Sequence, residues 1–303
     1  MRNFLLIGVS FIMIGIAVFV GRPTPVDAAD DAVRASAIKL FQSLTDEQKK
    51  LAVLDLGDKE RFKEVFPASK RPGIPYTKLT ADQKALIVDV IKAMTSDYGA
   101  QRCLEVTKET PEGSRYLTFF GEPSEKKPFA WRIGMHHLTL LFAEFGDAKA
   151  NEFGPILLGG NPAKTLWEAE EKIAIELYAS LTPEELKKIQ DSTKGTSAGS
   201  GSAMGKAGVR IADLNEKSRK LAASLFAKRL DVFSADRRKS VDDIVKRDGG
   251  VENLRVAIWG EITKSHLDGG KGNWRIGSDA IVCDWQTAGK NHLHMTLRGR
   301  LKG

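Results

Sequence analysis

The chain is expected to be α+β, with helices packed against a mainly antiparallel sheet formed by central and C-terminal strands. Two observations lead there. Residues 31–54, 81–95 and 214–246 repeat apolar positions at helical spacing, whereas 116–142, 255–259 and 274–298 break into short runs rich in aromatic and β-branched residues. The order is helices, strands, helices, strands, so the late strands are expected to complete the early sheet within one domain.

The first element is not part of that fold. Arg2 is a short basic start, Phe4 to Val20 is an almost uninterrupted apolar run, and Pro23 and Pro25 precede the small residues of Val26-Asp27-Ala28-Ala29. This is the layout of a secretory signal peptide spanning 1–28, with the folded domain at 29–303. The alternative is a retained anchor, since the apolar run approaches spanning length. Either way the domain is expected outside the cytoplasm, periplasmic or secreted, with no stable membrane span once the signal is cleaved. Removing 28 of the 303 residues leaves 275, enough for a full core.

The net charge of +7 comes from Lys and Arg dispersed among Asp and Glu. That balance suits solubility and argues against nucleic acid. The densest basic run, Arg237-Arg238-Lys239, is followed by Asp242 and Asp243, as on a solvated helix face. Two cysteines, Cys103 and Cys283, are too few for a disulfide framework. Their even number outside the cytoplasm still leaves a bridge open, although Cys283 lies in an apolar strand where a buried thiol is ordinary.

Along the helical part, Thr45 followed by Gln48 is a capping box, with Leu44 as the staple residue. The device recurs at Leu79-Thr80-Ala81-Asp82-Gln83 and at Leu181-Thr182-Pro183-Glu184-Glu185, where Pro183 takes the first helical position. Repetition of a good helix start explains these echoes better than a duplicated unit. Phe66 to Tyr76 holds three prolines and a glycine and reads as an extended connection. Ala81 to Thr95 is an amphipathic helix that ends near Asp97-Tyr98-Gly99. Strands follow at Tyr116–Phe120, Phe129–Ile133 and His137–Phe142, then helices at Glu168–Ala179 and Pro183–Gln190. A flexible Gly/Ser-rich loop at 192–208 precedes helices at Leu214–Leu230 and Ala235–Lys246. The chain closes with strands in Arg255–Trp259 and Trp274–Arg298.

That last stretch carries the candidate chemistry. His292 and His294 lie two apart in a strand-like run, so both rings share one face and can chelate one metal ion. His136 and His137 form a second pair in another strand-like run. Adjacent strand residues face opposite ways, so at most one of these two is expected to join His292 and His294 without a bulge. The alternative is a set of hydrogen-bonded sheet histidines. Asp284, just before the turn, could be a fourth ligand, a partner of an imidazole N–H, or a general base. Arg298 and Arg275 flank the region; such residues either recognise an anion or, more often, pair with a neighbouring acid. Gly195-Thr-Ser197-Ala-Gly199 matches the hydrolase elbow pattern, but it follows a helix in low-complexity sequence and carries no weight. The sequence has no Walker loop, no Rossmann fingerprint and no haem-attachment motif.

These segments resemble a known family. Arg71-Pro-Gly-Ile-Pro-Tyr-Thr-Lys-Leu-Thr-Ala-Asp-Gln83, Phe119-Phe120-Gly121-Glu-Pro123-Ser, Trp131-Arg-Ile-Gly134-Met-His136-His137-Leu, Gly159-Gly-Asn161-Pro162 and Asn291-His292-Leu293-His294 through Arg298 are similar to segments of domain-of-unknown-function family 3500. Two details depart from its pattern: Met135 intervenes between Gly134 and the histidines, and Asp284 stands where the family usually has Glu. The resemblance implies a secreted bacterial-type protein in which His136, His137, His292, His294 and Arg298 belong together. It implies no substrate.

The expectation is thus an exported metal-dependent enzyme, a hydrolase or oxidase. His292, His294 and one of His136 or His137 would hold zinc, copper or iron, with Asp284 as acid/base or ligand and Arg298 orienting an anionic small molecule. The alternatives are a non-enzymatic metal- or ligand-binding exported protein, or a structural domain with no site.

Overall fold

A computed structural model describes residues 28–64, 71–144, 152–160, 167–198, 207–289 and 291–300. The apolar segment at 4–20, and positions 199–206 of the Gly/Ser-rich loop, lie outside the described residues. Among those described, no helix is long and apolar enough to cross a membrane.

Helices α1 (Ala28–Gln42) and α2 (Asp46–Ala52) are followed by a short strand β1 (Val53–Leu54). After β2 (Ile74–Pro75) come α3 (Ala81–Met94) and α4 (Asp97–Glu109). Strands β3 (Tyr116–Phe120), β4 (Phe129–Met135), β5 (Leu138–Glu144) and β6 (Glu152–Gly160) form the central group. Then α5 (Glu168–Ser180) and α6 (Pro183–Thr193) lead to β7 (Val209–Arg210), α7 (Glu216–Arg229) and α8 (Ala235–Arg247). The C-terminal group is β8 (Arg255–Trp259), β9 (Asn273–Gly277), β10 (Ile281–Thr287) and β11 (Leu293–Arg300).

All three capping boxes form, and they start α2, α3 and α6. The first two interlock: the Gln83 side-chain amide donates to Gln48 Oε1 at 2.8 Å and to the Ser43 carbonyl at 2.7 Å. One pair of cap residues therefore also fixes how α2 sits beside α3.

The late strands do complete the early sheet. The strand order is β1-β3-β4-β5-β6-β11-β10-β9-β8-β7, with β2 paired to β3, open at its ends and antiparallel except for β1 with β3. The seam between the halves is β6 with β11, running from Leu293 opposite Gly160 to Arg300 opposite Glu152.

The two faces of the sheet differ. Cross-strand partners share a face. One face carries Phe119, Trp131, Ile133, Leu140, Ile156, Leu158, Met295, Leu297, Cys283 and Ile276, all buried in the main apolar core with the helices. The opposite face carries Thr118, Arg132, Thr139, Thr296, Asp284 and Arg275, each no more than 6% exposed. Polar groups so enclosed need partners. Several come from the segment after β1. Arg132 donates to the Glu60 and Lys63 carbonyls at 2.5 and 3.3 Å, and Arg298 pairs with Glu64 at 3.2 Å. Residues 196–198 cover the other end: Gln286 donates to the Ala198 carbonyl at 2.6 Å and the Trp259 indole to Thr196 Oγ1 at 3.1 Å.

Two elements depart from the sequence reading. Gly99 reads as a helix stop, yet it opens α4. A side chain there would place its Cβ 1.9 Å from the Val232 carbonyl, so this glycine marks a close backbone approach. Strand β6 is masked in the sequence by Gly154, Pro155, Gly159 and Gly160. A proline inside a sheet is tolerated at an irregularity, and the β6–β11 register shifts beside it, between Leu297 and Gly299.

Cys103 in α4 and Cys283 in β10 are both free and buried. Burial pushes each thiol up to about 12, only partly offset by the buried Arg229 guanidinium. Neither should react with an aromatic disulfide reagent in the native protein, and both should react in denaturant. Fewer than two reactive thiols after denaturation under non-reducing conditions would contradict this arrangement.

Candidate metal centre

The four histidines sit at two chain reversals that the β6–β11 seam brings side by side. His136 and His137 are the two residues linking β4 to β5, where Met135 pairs with Leu138. They are a turn, not a strand, so the alternation that would send one ring to each face does not apply. Their rings stack instead, with centroids 3.9 Å apart and planes at 18°. Both join the cluster, which corrects the expectation that at most one could. The turn lacks the positive-φ pair usual in two-residue hairpins, since the only non-glycine residues with positive φ among those described are Trp167 and Asn291.

His292 immediately precedes β11, and His294 is its second residue. Asn291 adopts the left-handed conformation, φ 61°, which Asn tolerates. The Ala288 amide then donates to the His292 carbonyl at 2.8 Å, closing the β10–β11 turn. His294 is opposite Gln286 on one side and Gly159 on the other.

Gly159 is the floor between the two pairs. Its amide donates to the His137 carbonyl at 2.8 Å, and His294 is its partner in β11. Strands one removed from each other are about 10 Å apart, so rings on them meet only by leaning over the intervening strand. The bare Cα of Gly159 leaves that room. A Cβ there would lie 2.3 Å from the Leu293 carbonyl, 3.0 Å from His294 Cδ2 and 3.3 Å from His137 Cδ2.

The result is four imidazoles whose ligand nitrogens all lie within 4.8 Å of one another. His292 Nε2 is 3.1 Å from His137 Nε2 and 3.2 Å from His294 Nε2. Tetrahedral zinc with Zn–N bonds of about 2.0–2.1 Å spaces its ligands about 3.3 Å apart. One ring nitrogen is either an N–H or a lone pair, so His292 Nε2 cannot donate to one neighbour while accepting from the other. It must either accept from both or share their lone pairs around a cation, and the spacing suits the second as well as the first.

The electrostatics agree. Burial, then the neighbouring imidazoles, hold His137 down to about 3 and His294 to about 4. His136 is lowered by burial, His292 and Arg71, and His292 is lowered by burial. All four are therefore neutral lone-pair donors at neutral pH.

Asp284 and Arg298 lie outside the cluster, and Arg275 and Arg298 each pair with an acid, the more usual of the two readings their sequence allows. Asp284 is not among the clustered ligands. It accepts from Arg275 Nε at 2.5 Å and Nη2 at 3.3 Å, a two-pronged pair almost wholly buried. Arg298 pairs with Glu64, four residues along β11 from His294. Glu64 itself has no sequence signal; burial raises its carboxyl, with Arg298 opposing. The fifth histidine, His266, lies apart, its Nδ1 2.9 Å from both carboxylate oxygens of Glu171.

Comparison with known proteins adds a family and no function. A family model described as "Protein of unknown function (DUF3500)" matches residues 27–302, and the chain belongs to that family. No curated protein and no solved structure matches it.

Two outcomes follow from this geometry. Gly159→Ala should lower stability by about 1–3 kcal/mol, because the seam must shift, and should displace both ring pairs. Unchanged urea midpoint and histidine NMR shifts would refute that role. The metal-free protein should also be sensitive to acid. The folded rings resist protons that the unfolded chain takes up at the ordinary value of 6.5, so stability is full above that pH and falls as pH drops toward about 3. Urea midpoints in chelator between about pH 7.5 and 5 should decline more steeply than in a His137→Asn variant; equal slopes would contradict the assignment.

Proposed function

We propose that this chain is an exported metalloprotein whose His136, His137, His292 and His294 hold one transition-metal ion, zinc, copper or iron, for hydrolytic or oxidative chemistry on a small anionic molecule. One observation carries the reading: four neutral imidazoles from two distant hairpin ends meet with their nitrogens at metal-ligand spacing. Four neutral ligands leave the full charge of a dication in place, which favours Lewis-acid polarisation or electron transfer once metal is bound. Export rests on the signal-like segment at 1–28.

Asp284 and Arg298 then serve the centre indirectly. Each is closed in an ion pair, with Arg275 and with Glu64, and we assign them to building the polar face of the sheet beside the metal. That same closure favours a second reading, a non-enzymatic metal- or ligand-binding protein, because it leaves neither group free as an acid or base. Turnover of a substrate by the metal-loaded protein separates the two.

The test is metal analysis of purified protein, alone and after incubation with zinc, copper or iron. About one ion per chain is expected, lost in the His292→Ala/His294→Ala double variant while circular dichroism stays native. Absence of metal and of any thermal shift would reduce the cluster to hydrogen-bonded histidines; unchanged metal content in the double variant would move the site elsewhere.

A further inference from the structure

Arg71 stands beside this centre with no carboxylate paired to it among the described residues. Its place is set by the chain that follows it. Thr118 donates its hydroxyl to the Pro72 carbonyl at 3.0 Å, and Gly73 lies so close to β3 that a Cβ would be 2.4 Å from Thr118 Oγ1. Thr118 pairs with Arg132, and the next pair on that face, Tyr116 with Gly134, leads to His136 two residues on. Arg71 therefore lies over the polar face at the β3–β4 edge of the histidine cluster.

The charges there are of one sign. Arg132 is held by main-chain carbonyls, not by a carboxylate. Arg71 makes no ion pair with a carboxylate among the described residues. Glu60, the acid near enough to influence it, is itself paired with Lys63. The positive charge of Arg71 is felt at both Arg132 and His136. Two half-buried or buried guanidiniums beside a site for a dication make a region that repels cations and lacks an anion.

We propose that Arg71, with the Tyr116 phenol beside it, forms an oxyanion subsite flanking the four-histidine centre, so that the ligand is a small phosphate or carboxylate bridging metal and guanidinium. This rests on the metal reading above and names its substrate class. It also moves anion recognition from Arg298, which Glu64 already occupies, to a residue with no carboxylate partner among the described residues.

The test is calorimetric titration of inorganic phosphate and of malonate into zinc-loaded protein, with zinc content measured on every sample. Saturable binding of at least one anion is expected. Arg71→Gln should weaken it about tenfold or more with zinc content and melting behaviour unchanged. Arg71→Lys should recover part of the loss. Arg300→Gln, which removes the same charge at the far end of β11, should leave binding within about twofold. Which anion binds more tightly tells phosphate from carboxylate. No saturable binding of either, or binding indifferent to Arg71→Gln, overturns the subsite. If the protein takes up none of zinc, copper or iron, the metal reading fails on its own; the same titrations on metal-free protein then decide the subsite, standing if binding still depends on Arg71 and falling if it does not.

Discussion

The arrangement depends on one missing side chain. Strand β6 separates the His136–His137 turn from β11, and at the level of the rings its residue is Gly159. Any Cβ at that point would press on the Leu293 carbonyl and on both nearby imidazoles. With hydrogen there, rings from strands that are not neighbours close over the gap. The hydrogen bond from Gly159 to the His137 carbonyl fixes one pair, and the β6–β11 register fixes the other. A seam that joins two halves of a sheet thereby also assembles a site from residues about 155 positions apart.

The two-faced sheet supplies the rest. Its apolar face takes the helices and the main core, while the other face holds only a small apolar cluster around Phe120 and Leu141. The other face can then afford arginines and acids, provided each is matched. Asp284 with Arg275 and Glu64 with Arg298 are matched inside; Arg132 is matched by carbonyls of the segment after β1. Desolvation makes such groups costly unless paired, and removing one partner leaves a buried charge. Among the described residues the exception is Arg71, which lies next to the histidines, and an exception of this kind is where a ligand's charge fits.

Much of this was legible in residues alone, for identifiable reasons. The α+β class and the joining of early and late strands followed from a change of apolar period, and the capping boxes were local chemistry that survived intact. The spacing of His292 and His294 announced a shared face. What escaped was set by distant packing. Gly99 reads as a stop because its reason, the Val232 carbonyl, is more than a hundred residues away. Strand β6 is disguised by the glycines and proline that its bulge and the histidine rings require. His136 and His137 reverse the chain without Gly, Asn or Asp, so nothing local marked a turn. Glu64 and Arg71 gain their meaning only from the sheet face they cover.

The central claim is that four imidazoles gathered over Gly159 ligate a single ion. X-ray absorption spectroscopy of the metal-loaded protein tests it most directly. The claim calls for a first shell of nitrogen at about 2.0–2.1 Å for zinc, with the outer-shell scattering of several imidazole rings. A shell of oxygen or sulfur without imidazole scattering would contradict it.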